Sequence, residues 1–250
     1  DEIGGLKADE LIEIIKPEIT SLKNIHSFDA GLKKLISSGK ESLANLPPVN
    51  SKDIFMIQYT SGTTGIPKAA QMTHEALITS SQNSHIRWKV ENNQKVCHGF
   101  PLFHIGGSAC MTLGAASMGA VSLPLYIFKP SVTLDIIENE GCSMFIGAPV
   151  HLTAMMQDPS FKDRDLSALK CLVVGGSNPP VELIKQFSLE FNADVINGYG
   201  MTETCGLSCT ALPTDPPELK AIAGLPLPGV SLRVVDENYE LVKHDLPGEL

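Results

Sequence analysis

Basic residues are scarce: 19 Lys and Arg stand against 28 Asp and Glu, for a formal net charge of −9. A chain this acidic lacks the clustered positive charge that displaces counterions from nucleic acid, which excludes sequence-independent nucleic-acid binding. Any polyphosphate ligand must then be held by local groups. Cysteine clusters at metal-ligand spacing are also missing. The six cysteines lie at 97, 110, 142, 171, 205 and 209, and only Cys205 and Cys209 are close. Reduced core thiols in an intracellular protein are expected, with cytoplasm, mitochondrion and peroxisome not distinguished. No membrane span is indicated either. Ile105 to Phe128 carries no charge, but its Gly and Ser content, Pro124 and the break at Met118-Gly119 fit a helix followed by a short buried strand. There is no internal repeat and no Ser-His or Cys-His constellation. Oligomeric state is not readable.

What is present is a 250-residue chain, 43% apolar, with enough length for a substantial core. It begins at Asp1 without Met and stops at Gly248-Glu249-Leu250 in what reads as a strand, so a piece of a longer protein is expected. Helices are expected over 8–16, ended by Pro17, and over 31–37. After a break at 46–50, Asp53–Thr60 reads as a buried strand. Thr73 is a suitable N-cap for a helix from His74 to about Lys89. Strands at 95–100, 119–123, 143–147, 169–175 and 194–197 then alternate with helices at 105–118, 132–139, 149–157 and 180–190. Nearly all-apolar strands alternating with helices indicate an α/β fold, its mostly parallel sheet covered on both faces. Short strands at 229–235, 239–242 and from 248 suggest the start of a small antiparallel β unit.

Between the strand ending at Thr60 and the helix capped by Thr73 runs Thr60-Ser61-Gly62-Thr63-Thr64-Gly65-Ile66-Pro67-Lys68. Glycines let backbone N–H groups turn inward, hydroxyls donate to phosphate oxygens, and Lys adds a point charge. Such a loop can wrap the β- and γ-phosphates of a nucleotide; the bland alternative is a polar connection. It is not the common P-loop, which needs Gly-Lys-Ser/Thr contiguous at a helix start. A second segment, Asn197-Gly198-Tyr199-Gly200-Met201-Thr202-Glu203, follows an apolar strand at its carboxyl end, where open α/β sheets place ligands. Gly198 and Gly200 admit a planar base, Tyr199 can stack on it, Thr202 can donate to phosphate, and Glu203 is a hard oxygen ligand suited to Mg2+. Alone, this could be a loop with a solvated Glu. His104 taken alone reads as structural, His74 and His151 have no partner pattern, and Asp163 with Asp165 reads as solvated loop. Met155, Met156 and Leu152 read as core or tunnel lining.

Residues 59–68 resemble the AMP-binding signature of the acyl-adenylate-forming enzymes: acyl-CoA synthetases, aryl-CoA ligases, luciferases and nonribosomal adenylation domains. Asn197 to Thr204 is similar to that family's second nucleotide motif, and Pro101-Leu102-Phe103-His104 to the segment opening its acyl pocket. Gly175-Gly176-Ser177 is similar to the strand end beside adenine, and Gly248-Glu249-Leu250 to a further motif cut short. The resemblance covers roughly Ile54 to the end. Among members it looks most like fatty-acyl-CoA ligases of the medium-chain type, on Gly147-Ala148-Pro149, Asp158 to Phe161, Leu166 to Lys170 and Pro179 to Ile184. Small residues at 106–109 and 114–116 would leave room for an apolar chain.

The resemblance implies flavodoxin-like α/β subdomains: the end of a first over 1–94 with the phosphate loop, a second over 95–205, and the start of a β-barrel-like unit over 206–250. It implies ATP, Mg2+ and CoA, and activation of a carboxylic acid, medium- or long-chain fatty, to an acyl-adenylate and then a thioester. Aryl- or amino-acid activation and a non-catalytic ATP-binding module are the alternatives, with an NTPase using an atypical phosphate loop as a third. Lys68, the loop and Glu203-held Mg2+ would neutralise the leaving pyrophosphate, and His104 would lie near the substrate carboxylate. The family's ribose-binding Asp, hinge and Lys-bearing C-terminal lid would fall beyond Leu250, so the 250 residues alone are expected to turn over little substrate. Asp236 reads as a turn residue.

Overall fold

The computed structural model describes residues 2–3, 6–26, 30–39, 47–61, 65–243 and 246–250, which divide into two compact units, Asp1–Pro48 and Val49–Leu250. In the first, β1 (Glu2–Ile3) pairs antiparallel with β2 (Leu6–Lys7), which runs into α1 (Ala8–Ile15); α2 (Ala30–Ser38) follows. Both expected helices are present. The Lys16 N–H still reaches Ile12 O at 2.8 Å, and Pro17, which lacks a donor, comes next.

The second unit starts with a hairpin of β3 (Ile54–Thr60) and β4 (Lys68–Thr73). Residues 68–73, to which the sequence reading gave no element, form a strand, and one expectation needs correction. The strand ending at Thr60 is not buried: Phe55, Ile57 and Tyr59, which share a face, are exposed, Tyr59 by 67%, because a two-stranded ribbon leaves one face uncovered, and Ile54 at its start is exposed too. α3 (His74–Arg87) follows, and the Thr73 hydroxyl accepts from Ala76 N–H at 3.2 Å, as its N-cap position requires.

A seven-stranded sheet forms the centre. It uses β5 (Lys95–His98), β6 (Val121–Pro124), β7 (Met144–Gly147), β8 (Cys171–Gly175), β9 (Asp194–Met201), β10 (Gly206–Thr210) and β11 (Leu225–Pro226), in the order β11-β10-β9-β8-β7-β5-β6. Strands β6, β5, β7, β8 and β9 are parallel; β10 and β11 extend the sheet antiparallel. Period two sorts the all-apolar strands between two cores. Phe145, Leu172, Val174 and Val195 face one side, packed with residues of α5 (Pro130–Glu140), α6 (Pro149–Met156) and α7 (Val181–Phe191). Met144, Ile146, Cys171, Val173 and Ile196 face the other, with α3 and residues 105–111. Leu152 and Met155 lie in the first core, so they are core residues and not tunnel lining.

The helix expected over 105–118 is a π-helix at Gly106–Leu113 followed by α4 (Gly114–Ser117), and the Thr112 hydroxyl donates to Gly107 O, five residues back, at 2.8 Å. The strand expected to end at Asn197 runs on to Met201, because β10 folds back and pairs with it from Gly198 to Met201. Among the described residues the tail forms bridges only: Val235 pairs with Leu241 and with Glu249. Asp236 is a turn residue, its carboxylate accepting from the N–H groups of Asn238 and Glu240. A short α8 (Pro217–Lys220) precedes β11. All six cysteines are free thiols.

Two histidines are buried in the α3 side of the sheet. His85 Nδ1 bonds Ser81 O at 3.0 Å and leaves Nε2 unpartnered; neither ring nitrogen of His98 has a partner among the described residues. Burial pushes both down to about 4 from the ordinary 6.5. The neutral rings are the ones that fit the fold, so their contribution is complete above pH 6.5 and is lost as pH falls from 6.5 through 4. Stability is expected to drop over that window by about 1.4 kcal/mol per pH unit for each ring. Urea midpoints at pH 7 and 5 check this, and His98→Leu should flatten the slope.

Candidate active site

The two sequence-distant segments meet. Glu203 sits on a short helical turn, Thr202–Thr204, between β9 and β10. The Thr204 hydroxyl, which accepts from Met201 N–H at 3.3 Å and from the Ser208 hydroxyl at 2.8 Å, holds that turn. Thr60, the last residue of β3, donates from Oγ1 to Glu203 Oε1 at 3.5 Å, and Lys68, the first residue of β4, is Thr60's partner across the hairpin. The same hairpin reaches the 101–104 segment, where Gln58 Nε2 donates to Phe103 O at 3.0 Å.

Below this junction is a cavity of about 320 Å³. Thr60, His104, Thr202 and Glu203 supply its polar side chains. Gly175, Gly198, Gly200 and Met201 contribute to its wall, and Trp88, Met111, Ile146 and Val173 line its apolar part. Gly106 N–H donates to His104 Nδ1 at 3.0 Å, and Phe100 stacks on the ring at 6.2 Å between centroids, so the neutral imidazole carries its proton on Nε2. A second cavity of about 500 Å³ is lined by Gly176, Ser177, Asn178, Asn197 and the Gly198-Tyr199-Gly200 ribbon, closed by Ile222 and Ala223. Gly198 and Gly200 thus border both cavities.

Asn197 is buried and fully engaged: Nδ2 donates to Ala221 O at 3.1 Å, and Oδ1 accepts from Gly198 N–H at 2.9 Å. It ties the 221–223 segment to the end of the parallel sheet. Lys68, Ser61, Gly65, Ile66 and Pro67 do not line the 320 Å³ cavity; Lys68 adjoins it through Thr60. Gly62, Thr63 and Thr64 lie outside the described residues. The sequence reading missed the apolar lining, Trp88, Met111, Ile146 and Val173, and also Asn178, Ile222 and Ala223. Alternation within β7 and β8 is the signal that would have put Ile146 and Val173 on one face.

Glu203 is exposed, offers hard oxygens, and pairs with no cation among the described residues. Among those residues no group of three or more His, Cys, Asp or Glu could enclose a metal ion. A single exposed carboxylate such as Glu203 is a donor that Mg2+ can use, since Mg2+ takes one or two carboxylates and fills its remaining positions with water and phosphate oxygens. No described helix is long and apolar enough to cross a membrane.

Fold and site together define an α/β domain in which a hairpin and a strand-end turn meet at one of two adjoining cavities. A family model, AMP-binding enzyme, matches residues 5–250, and the chain belongs to that family. Relatives include an indoleacetate–CoA ligase of Aromatoleum aromaticum, 31% identical over 86% of this chain and 42% of that protein. A mitochondrial medium-chain acyl-CoA ligase of Danio rerio is 28% identical over 99% of this chain and 42% of its own length. The chain therefore spans less than half the length of these relatives. The inhibitor-bound N-terminal domain of FACL13 from Mycobacterium tuberculosis has the same fold, with a TM-score of 0.80 at 22% identity over 97% of this chain and 66% of that one. The anthranilate CoA ligase AuaEII, in complex with anthranoyl-AMP, superimposes with a TM-score of 0.82 at 23% identity over 94% of this chain and 46% of that one. The resemblance carried by the motifs is borne out, as is the expected fold class.

Proposed function

We propose that the chain forms the nucleotide- and acid-binding part of an AMP-forming acid–thiol ligase. A carboxylate oxygen attacks the α-phosphorus of ATP, the bond to the β-phosphate oxygen breaks, and pyrophosphate leaves. The sulfur of CoA then attacks the acyl carbonyl, and AMP departs. The observation that carries this reading is the contact of Thr60 with Glu203, which brings the end of the phosphate loop and the 202–204 turn to the mouth of one apolar cavity.

In step one, two anions must approach each other. Lys68 and the hydroxyls of Thr60 and Thr202 would stabilise charge gathering on the leaving pyrophosphate. Mg2+, held by Glu203, supplies further neutralisation there when bound. The 500 Å³ cavity beside Tyr199 would take the adenine, with Gly176 and Ser177 at its edge and Asn197 fixing the strand end. His104 would face the substrate carboxylate. We assign 1–94 to the end of a first α/β subdomain, 95–205 to a second, and 206–250 to the start of a β-barrel-like one. Fatty acids of medium chain length fit the apolar lining. The indoleacetate–CoA ligase relative favours arylacetic acids as the second reading.

The test is product identity. Given Mg-ATP and a panel of carboxylates, the protein carrying this chain is expected to release AMP and pyrophosphate and to catalyse acid-dependent ATP–pyrophosphate exchange. Orthophosphate as the product, or exchange indifferent to added acid, would overturn the proposal.

A further inference from the structure

We infer that the 320 Å³ cavity accepts neutral, apolar acyl groups up to about eight carbons long, and that Trp88 sets this limit. The inference rests on the ligase reading above and narrows its substrate class.

The position of Trp88 follows from strand register. Its indole Nε1 donates to Thr210 Oγ1 at 3.2 Å, and the side chain is buried. Thr210 pairs with Gly198, and along β9 Gly198 lies three residues before Met201, where the turn bearing Thr202 and Glu203 begins. At ~3.3 Å per residue, the indole anchor sits roughly 10 Å down the hairpin from the reacting end. An extended chain rising ~1.3 Å per carbon covers that distance with about eight carbons. A sixteen-carbon chain would have to displace Trp88, and the bond to Thr210 opposes that.

The lining sets polarity as well. Glu203 is the one formally charged side chain among the lining residues, and it lies at the mouth with Thr60, Thr202 and His104. The inner wall is Trp88, Met111, Ile146 and Val173. An amino group on the acid would be buried without an acid partner, and a second carboxylate without a base.

The test uses non-hydrolysable acyl-sulfamoyl adenosines, with AMP as reference, titrated calorimetrically into the protein carrying this chain. Affinity is expected to rise about fourfold per methylene from butanoyl to octanoyl. It should then fall at least tenfold by hexadecanoyl. A phenylpropanoyl analogue should bind within about tenfold of octanoyl, showing that size and polarity govern and not aliphatic character. A leucyl analogue, which carries an ammonium, should bind at least about a hundredfold more weakly. Trp88→Ala should recover hexadecanoyl binding at least tenfold. Should that variant fail to fold, Val173→Phe shortens the limit below octanoyl instead. Hexadecanoyl binding as tightly as octanoyl, or Trp88→Ala and Val173→Phe both leaving the limit unmoved, overturns the inference while leaving the ligase reading intact. Failure of every adenosine compound, AMP included, overturns the ligase reading and this inference with it.

Discussion

Glu203→Gln is expected to lower acid-dependent ATP–pyrophosphate exchange by about a hundred- to a thousandfold, the usual cost of deleting one group that stabilises developing charge. Stability should barely change, because the side chain is exposed and its described contact is the 3.5 Å bond to the Thr60 hydroxyl. Gln keeps the shape and an oxygen acceptor but loses the negative charge that a hard divalent cation needs. The magnesium concentration for half-maximal exchange should therefore rise along with the fall in rate. Thr60→Ala should cost less, and the two effects should be non-additive because the side chains touch. Lys68→Ala should slow exchange without shifting the magnesium requirement, since Lys acts on phosphate as a point charge. A Glu203→Gln enzyme with unchanged rate and unchanged magnesium dependence would remove Glu203 from the reaction.

The sequence made parts of this geometry legible for definite reasons. Thr73 could be placed as a cap because a hydroxyl before a helix has one dominant use, and its bond to Ala76 N–H has that form. Strands β7 and β8 announced themselves as all-apolar runs, the mark of a sheet covered on both faces. β4 stayed hidden because Lys68-Ala69-Ala70-Gln71 has little intrinsic strand preference; pairing with β3 makes it a strand. The extension of β9 was concealed by glycines that read as breaks. Trp88, Met111, Ile146 and Val173 were not singled out, because lining a cavity and filling one call for the same residues, and only the fold shows which of them border empty space. The motif residues Thr60, His104, Thr202 and Glu203 were thus singled out in advance, while the apolar wall of the cavity they share became visible only in three dimensions.

The glycines of the second segment carry the other large expected effect. At Gly200 a Cβ would lie 1.8 Å from Gly206 O and 2.6 Å from its carbonyl carbon, both backbone atoms that no rotamer change can move aside. Gly200→Ala must therefore push β10 away from β9 just where the pair turns through Thr202 and Glu203. Overpacking of this kind costs about 3 kcal/mol. Gly176 is a useful contrast. Its φ of +80° disfavours a side chain, yet nothing lies within 4 Å of the added carbon. Gly176→Ala should cost about 1–2 kcal/mol of backbone strain with the hairpin intact. Chemical denaturation of both variants beside the parent chain separates the cases, and AMP binding gives a second readout. Gly200→Ala should lose binding even under conditions where it remains folded, because displacing β10 moves the turn that carries Thr202. If Gly200→Ala matched the parent in both measurements, the tight β9–β10 approach would not be what holds Thr202 and Glu203 at the cavity mouth.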